Sequence, residues 1–175
     1  MSESMPEPAG WWRKLLGPGR FTVFVVILLL AAATGYLGAR AYTLSRQATD
    51  DANARAAALS SASAYAVDLT TYDYRHLDTA TDIVAAQSTP AFARQYRQTS
   101  QSRAAALRAQ HSVSSGITVA TGLQDETPTT AHVLVLVDQS VTNVSTPQPR
   151  TTRSALKLTL TRSGTRWLLS DLVLL

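Results

Sequence analysis

The sequence has no cysteine and few of the residue patterns that build dedicated chemical sites. Without cysteine there is no disulfide scaffold, no thiolate nucleophile and no cysteine-ligated metal. No glycine-rich phosphate loop is present. The three histidines, His76, His111 and His132, lie far apart in sequence, and none belongs to a His-x-x-x-His motif. We therefore predict no catalytic, cofactor-binding or metal-binding residues.

Charge is mixed along the chain rather than concentrated in one region. The 16 Lys and Arg residues exceed the 12 Asp and Glu residues, which gives a net charge of +4. Basic and acidic residues are interspersed, and no run of four or more basic residues occurs. A nucleic-acid-binding surface normally requires a basic patch or stripe. The sequence therefore predicts no nucleic-acid partner.

One long uncharged run dominates the N-terminal part. Residues 21–39 read FTVFVVILLLAAATGYLGA, and a helix of this length spans roughly 28 Å, close to the hydrocarbon thickness of a bilayer. The segment Ala39-Arg40-Ala41 has the form of a cleavage site, but the apolar region of a cleavable signal peptide is usually about 7–15 residues. We predict an uncleaved transmembrane signal-anchor at 21–39, preceded by a cytoplasmic tail at 1–20.

The charges beside the anchor do not decide its orientation, because each side carries three basic residues within about twenty positions. They are Arg13, Lys14 and Arg20 before the run and Arg40, Arg46 and Arg55 after it. The preceding cations lie in a short tail, as in a signal sequence, and long following domains translocate largely regardless of charge. We predict a single-pass protein of the cell membrane with an extracytoplasmic C-terminal domain.

The segment after the anchor has the pattern of helices. Residues 40–71 are expected to form a juxtamembrane region and the first domain helix, because 42–72 contain neither proline nor glycine. Its predicted small-residue face is Leu44, Ala48, Ala52, Ala56, Leu59, Ala62 and Ala66. A short amphipathic helix is expected from Leu77. A third follows Ser88-Thr89-Pro90, where a capping hydroxyl precedes a proline of the first turn.

After His111 the hydrophobic period changes to two, which predicts four antiparallel strands. The first lies around residues 117–121 and is followed by a turn at 125–128. The second, at 131–144, is nearly continuously apolar, which predicts burial on both faces near its middle. A long hairpin loop is expected at 145–152, and the last strands at 155–161 and 166–175.

Helices followed by strands predict an α+β domain, and residues 72–175 would complete it. The order and size fit a cone of the nuclear transport factor 2 (NTF2) type, in which about three helices pack on a curved antiparallel sheet.

Such a cone hosts enzymes in which an Asp or a His–Asp pair moves a proton. Asp73, His76, Asp78 and Asp138 are the candidates, since a buried carboxylate has a raised pKa and becomes a usable general base. The favoured alternative is structural: Asp73 and Asp78 cap helix ends or pair with Arg75, and Asp138 meets an arginine, a helix end or water. We therefore predict a protein that is not an enzyme.

Six aromatic residues either line a lipid-sized cavity or form the core, and the core is favoured. They are Tyr65, Tyr72, Tyr74, Phe92, Tyr96 and Trp167.

Several short motifs occur in an order and spacing typical of one family. They are Tyr72-Asp73-Tyr74-Arg75, Phe92 with Tyr96, Val137-Asp138-Gln139 and the closing Trp167-Leu168-Leu169-Ser170-Asp171-Leu172. With the basic tail, the single anchor and the Ala-rich helix, the chain resembles the Mce-associated membrane proteins of mycobacteria and related actinobacteria (Mce, mammalian cell entry). The family often carries Thr-Gly before the third helix. Ser88-Thr89-Pro90 stands there instead, so the local turn must differ.

The resemblance implies a non-enzymatic accessory or scaffold subunit of an Mce complex, which imports lipids and sterols across the cell envelope. It also implies an extracytoplasmic domain similar to the NTF2 cone and to the VirB8 component of type IV secretion systems. Expected partners are the membrane, Mce subunits or other envelope proteins, and a lipid. Two alternatives stay open: a VirB8-like assembly factor of another envelope machine, and a cone-fold enzyme or lipid-binding protein.

Overall fold

The computed structural model of the chain describes residues 18–175. Three helices and five strands follow one another in the order α1 (Pro18–Thr70), β1 (Tyr72–Asp73), α2 (Leu77–Ala86), α3 (Pro90–Ala109), β2 (Val113–Glu126), β3 (Thr130–Asn143), β4 (Thr146–Ser163) and β5 (Arg166–Leu174). The predicted α+β class with three helices and an antiparallel sheet is confirmed.

The N-terminal predictions stay predictions. In the part of the chain whose side chains the structure describes, no helix is long and apolar enough to cross a membrane. The predicted anchor at 21–39 and the tail at 1–20 fall largely outside that part. The chain divides into two units, Met1–Asp50 and Asp51–Leu175. The second unit contains the sheet and is described below.

The C-terminal part of α1 contributes a row of alanines to the core. Ala58, Ala62 and Ala66 have no exposed surface, and they are spaced four residues apart. Burial of Ala62 and Ala66 agrees with the predicted small-residue face, whereas Ala52 and Ala56 are exposed. The buried row is therefore rotated from the predicted one. Because alanine ends at Cβ, it lets a helix backbone approach the surface on which it packs.

The five strands form one antiparallel sheet in the order β1-β2-β3-β4-β5. The predicted number of four strands is wrong, because Tyr72 and Asp73 form β1 by pairing with Ser114 and Val113. The sequence pattern predicts a junction between two helices at this segment. Two residues are too few for a period of two to be recognised in sequence.

The burial predicted for both faces of the second strand is also wrong. In β3 the residues of one face, Val133, Val135 and Val137, are at most 1% exposed, whereas Leu134 and Leu136 on the other face are 40% and 39% exposed. Antiparallel sheets commonly have one face on the core and one face in water. The nearly continuous apolar run therefore gives β3 a buried inner face and an apolar outer face that no described element covers.

The predicted loop at 145–152 is instead the first half of β4. Pro147 and Pro149 lie in this half, which precedes the pairing of β4 with β5 at Leu156. A proline has no N–H to donate, so it is tolerated where one side of a strand is free. Likewise Asp125 and Glu126, predicted in a turn, are the last residues of β2.

The start of α3 agrees with the prediction. Thr89 is the N-cap, its Oγ1 accepts a hydrogen bond from the backbone N of Phe92 at 3.4 Å, and Pro90 is in the first turn. The turn between α2 and α3 is hydrogen-bonded to β5. Thr89 N donates to Leu169 O at 2.8 Å, and Leu169 N donates to Gln87 O at 3.0 Å. This link joins the end of α2 and the start of α3 to the edge of the sheet.

The end of α1 packs closely against the sheet at Gly116, which has no side chain. A Cβ added at Gly116 would lie 1.8 Å from Thr70 Oγ1 and 2.8 Å from Thr70 Cβ. The Thr70 carbonyl accepts hydrogen bonds from Ser114 Oγ at 2.6 Å and from Gln139 Nε2 at 3.3 Å. Any shift that relieves the clash would disturb these bonds, so glycine is required here by the close approach of two elements.

We expect Gly116→Ala to destabilise the domain by about 1–3 kcal/mol, the usual range for an overpacked buried site. Gly122→Ala is the matched control in the same strand, because nothing lies within 4 Å of its added Cβ. The control should leave stability unchanged or raise it by up to about 1 kcal/mol, since glycine weakens a strand. Urea unfolding of the two variants measures the difference. Equal stabilities would contradict the packing described for Thr70.

Candidate functional site

Asp73 lies at the end of β1 and is held by one arginine. Its carboxylate accepts hydrogen bonds from the backbone N and the Nε of Arg75, both at 2.9 Å, and from Nη2. The side-chain hydrogen bond from Arg75, aided by its backbone N–H, lowers the pKa of Asp73 from 3.8 to about 2. A general base works best with a pKa near the operating pH. Asp73 is therefore charged at neutral pH and paired with Arg75, as the structural alternative predicted.

His76 and Asp78 do not join Asp73 in a dyad. His76 is the N-cap residue of α2, and its side chain makes no cap hydrogen bond. The Asp78 carboxylate is exposed and pairs with Nη2 of Arg108 at 3.4 Å. No hydrogen bond among the described residues connects the His76 ring with either carboxylate.

Asp138 faces the outer side of the sheet and meets an arginine, one of the three partners predicted for it. Arg153 on β4 is its cross-strand neighbour. Nε and Nη2 of Arg153 donate to the two carboxylate oxygens at 2.7 and 2.8 Å. This bidentate pair lowers the pKa of Asp138. Asp138 and Asp73 are thus fixed in separate arginine pairs.

One His–Asp contact was missed by the sequence reasoning. His132 Nδ1 lies 2.5 Å from Asp125 Oδ1, and the two residues face each other across β2 and β3. The register was available from the hairpin, because a turn centred between Pro128 and Thr129 puts residue 125 opposite residue 132. The side chains are 32% and 56% exposed, so the contact lies open to water. Within the described residues, no cluster of three or more potential ligands could hold a metal.

His111 ends α3 in a left-handed conformation, with φ of 48°. Ser112 N donates to Leu107 O and His111 N donates to Arg108 O, which is the Schellman arrangement of a helix C-terminus. The His111 ring stacks on Tyr74 with 4.8 Å between ring centroids. A residue considered as a possible metal ligand therefore serves as a helix cap in this structure.

Five of the six aromatic residues lie in the core or line a small cleft, whereas Tyr74 stacks on His111. Phe92 and Trp167 are core residues, and Tyr65 packs against that core. The Tyr65 hydroxyl donates to the Trp167 carbonyl, and Trp167 Nε1 donates to Ala54 O at 3.1 Å. Tyr96 also packs against the core, and together with Tyr72 it lines a cleft of about 190 Å³ that α2 and α3 border. Burial raises the pKa of Tyr96.

The space between α1 and the inner face of the sheet is filled by apolar side chains. The buried cluster includes the α1 alanines, the inner-face valines of β3 and the inner-face leucines of β4. In the described part of the chain, every buried side-chain nitrogen or oxygen has a hydrogen-bond partner. The polar dyad in an open interior that an enzyme of this fold would need is not found among these residues.

Together the sheet and helices form an α+β fold with a curled antiparallel sheet, which is similar to VirB8/NTF2-like domains. The chain belongs to the family described as "Uncharacterized protein Rv1363c/MT1408-like", whose model matches residues 20–174. It is 32% identical over 164 residues to "Uncharacterized protein Rv1362c" of Mycobacterium tuberculosis H37Rv, covering 91% of this chain and 73% of that protein. The protein MT1407 of strain CDC 1551 matches equally well.

Three solved structures share the fold. The periplasmic domain of DotI has a TM-score of 0.58 at 14% identity, covering 68% of this chain and 93% of that one. A periplasmic fragment of TraM has a TM-score of 0.57 at 11% identity, covering 69% and 96%. CagV of Helicobacter pylori, a VirB8 homolog of a type IV secretion system (T4SS), has a TM-score of 0.53 at 12% identity, covering 68% and 96%. At these identities the likeness establishes the fold.

The Asp73–Arg75 pair makes stability depend on pH in acid. Because the folded state lowers the pKa of Asp73, the pair stabilises the domain fully above pH 3.8 and loses its effect as the pH falls towards 2. At pH 6 the free energy of unfolding of the wild type should therefore exceed that of Asp73→Asn. This difference should shrink between pH 4 and pH 2. Urea unfolding across this range measures it.

Asp171→Asn is the control for this prediction, because no described cation pairs with the exposed Asp171 carboxylate. Its stability difference from wild type should stay small across the range. A gap between wild type and Asp73→Asn that stays constant from pH 6 to pH 2 would contradict the ion-pair account.

Proposed function

We propose that this chain is a membrane-anchored, non-enzymatic scaffold whose VirB8-like domain lies outside the cytoplasmic membrane and binds other proteins of the cell envelope. The observation that carries the proposal is the fold it has in common with the periplasmic domains of DotI and TraM and with the VirB8 homolog CagV. The predicted anchor at residues 21–39 would hold the domain beside the membrane.

The arrangement of the titratable groups supports a non-enzymatic role. Asp73 and Asp138 are each occupied by an arginine, and the space between α1 and the sheet is packed with apolar side chains. A proton-transferring site would need a carboxylate or imidazole with a suitable pKa beside an enclosed substrate. With no such group in the described interior, the function is best sought on the surface.

The outer face of the sheet is the surface that we assign to a partner. Leu134 and Leu136 on β3 share this face with Ile117 on β2, which is 67% exposed, and with Val173 on β5, which is 44% exposed. Exposed apolar patches of this kind mark interaction sites. The Asp138–Arg153 pair at one side is neutralised within the domain. The patch therefore fits an apolar protein surface rather than a charged one.

Lys157 specifies the partner's chemistry further. It is paired in the sheet with Leu134 on one side and Val173 on the other, so it lies within the outer face. No carboxylate lies within ion-pair distance of it among the described residues. An apolar partner surface with one acidic group opposite Lys157 would complement this face.

The resemblance to Mce-associated membrane proteins indicates a more specific class of partner. We propose that the domain associates with subunits of an Mce lipid-import complex, which would place its function in lipid and sterol uptake. The alternative that the fold favours is an assembly factor of another envelope machine, as in the T4SS of the VirB8 homolog CagV. The two differ in which proteins bind the outer face, so a single purification separates them.

The topology can be tested with single cysteines, because the chain contains no natural one. Thr165→Cys places a thiol in the exposed turn between β4 and β5. A membrane-impermeant maleimide should label it in intact cells, whereas Ser2→Cys in the predicted cytoplasmic tail should be labelled only after the cells are opened. The opposite labelling pattern would refute an extracytoplasmic domain.

The partner is identified by affinity purification of the full-length protein from the cells that produce it, followed by mass spectrometry. We expect Mce subunits to be enriched, and deletion of the protein to lower their abundance. Leu136→Glu should reduce this enrichment about tenfold or more, since a charge in an apolar interface removes a typical hot-spot contribution.

Gln98→Glu is the control, because Gln98 is an exposed residue of α3 and does not belong to the outer face of the sheet. It adds the same charge and should leave the enrichment unchanged. Recovery of secretion ATPases instead of Mce subunits would favour the second candidate. If Leu136→Glu recovers the same partner proteins in the same amounts as the wild type, the outer face is excluded as the binding surface.

A further inference from the structure

The cleft that α2 and α3 border combines an apolar floor with one cationic side chain. Leu69 at the end of α1 and Leu172 on β5 contribute to it from the domain body, and Leu77 of α2 is 7% exposed. Arg103 on α3 lines the same cleft and is exposed to water. An apolar pocket with a few polar groups that fix orientation is the usual form of a small-molecule site.

One face of α3 supplies four of the polar groups of the cleft, and Thr71, Tyr72 and Thr81 supply the others. Tyr96, Thr99, Ser100 and Arg103 follow one another at helical spacings of three and four residues. Tyr96 and Ser100 are half-buried, whereas Thr99 and Arg103 are exposed, so the hydroxyl groups lead from the apolar part to the guanidinium. This gradient suits a ligand with an apolar tail and a polar head.

Arg103 is the arginine of α3 that faces this cleft without an ion partner. Arg97 pairs with Asp82 at 3.1 Å, and Arg108 pairs with Asp78 at 3.4 Å, so both α2 carboxylates that face α3 are already occupied. Among the described residues, no carboxylate lies within 4.0 Å of the Arg103 guanidinium. Asp68, the other acidic residue of the region, lines other cavities, and its carboxylate accepts a hydrogen bond from Gln87 Nε2 at 2.9 Å.

We infer that this cleft binds a short-chain aliphatic carboxylate. The chain lies among the leucines and the Tyr72 and Tyr96 side chains, and the carboxylate pairs with Arg103. The planar guanidinium matches a carboxylate through two parallel hydrogen bonds, which is the charge complementarity that selects this head group. The volume of about 190 Å³ lies below the roughly 300–1,000 Å³ of drug-sized sites, which limits the chain to a short one.

This site is distinct from the outer face of the sheet, because its lining residues come from the helices, the segment after α1 and Leu172 of β5. Its occupation does not depend on which envelope protein the scaffold binds. Failure of the partner experiment would therefore leave this inference standing, and the reverse also holds.

The test is a methyl NMR titration of the full-length protein in zwitterionic nanodiscs with sodium hexanoate. Leu69, Leu77, Leu107 and Leu172 line the cleft, so their methyl groups report binding directly. Hexanoate should shift these signals saturably. Acetate, which has the head without the chain, and hexanol, which has the chain without the charge, should each bind at least about threefold more weakly.

Two arginine variants separate the head-group contact from general surface charge. Arg103→Gln should weaken hexanoate binding about three- to fivefold, the range for an exposed ion pair, and leave hexanol binding unchanged. Arg94 is another exposed arginine of the same helix that does not line the cleft, so Arg94→Gln should leave both unchanged. Equal weakening by the two variants would overturn the assignment of the carboxylate to Arg103.

A third variant tests the cleft itself. Ala80→Phe adds a ring at a half-buried lining position of α2 and should abolish the hexanoate shifts. The methyl signals of the core residues Leu158 and Leu160 verify that this variant is folded. Hexanoate binding that survives Ala80→Phe in the folded protein, or the absence of saturable shifts in wild type, would overturn the inference.

Discussion

The fold depends on the close packing of α1 against one face of the sheet. Ala58, Ala62 and Ala66 have no exposed surface, and the row ends at Thr70, whose side chain occupies the space left by the missing Cβ of Gly116. Larger side chains in the row would hold the helix away from the sheet, since a buried site tolerates few added methylene groups. The inner-face valines of β3 gain their complete burial in the core cluster that contains these alanines.

The same packing covers one face of the sheet and leaves the other face without a described element on it. The buried residues of β3 and β4 alternate with exposed or half-buried ones, so the described helices cover one face of the sheet. The outer face must then be stable in water or against another protein. It keeps Leu134 and Leu136 about 40% exposed, and it neutralises Asp138 with Arg153. The uncovered apolar face is the surface to which we assign the partner under the proposed function.

The sequence was informative wherever a pattern is local and repeats over many residues. The three helices, the capping hydroxyl of Thr89 and the change to long strands after α3 all follow from periods and caps. The failures have a different origin. The pairing of Tyr72–Asp73 with β2 involves only two residues, and the exposure of Leu134 depends on what packs above it. Neither is encoded in the local spacing of apolar residues.

The partners of the titratable side chains likewise depend on tertiary structure rather than on local sequence. That Asp138 would meet an arginine, a helix end or water could be argued from its place in an apolar strand, but its partner Arg153 follows from the β3–β4 register. Register also brings Asp125 to His132, which sequence reasoning treated as unrelated residues. Once the arginine pairs are assigned, Arg97 and Arg108 are accounted for by Asp82 and Asp78. Arg103 lines an apolar cleft and has no ion partner among the described residues. The sequence shows which residues are charged, whereas the fold shows which charged side chain can reach a ligand.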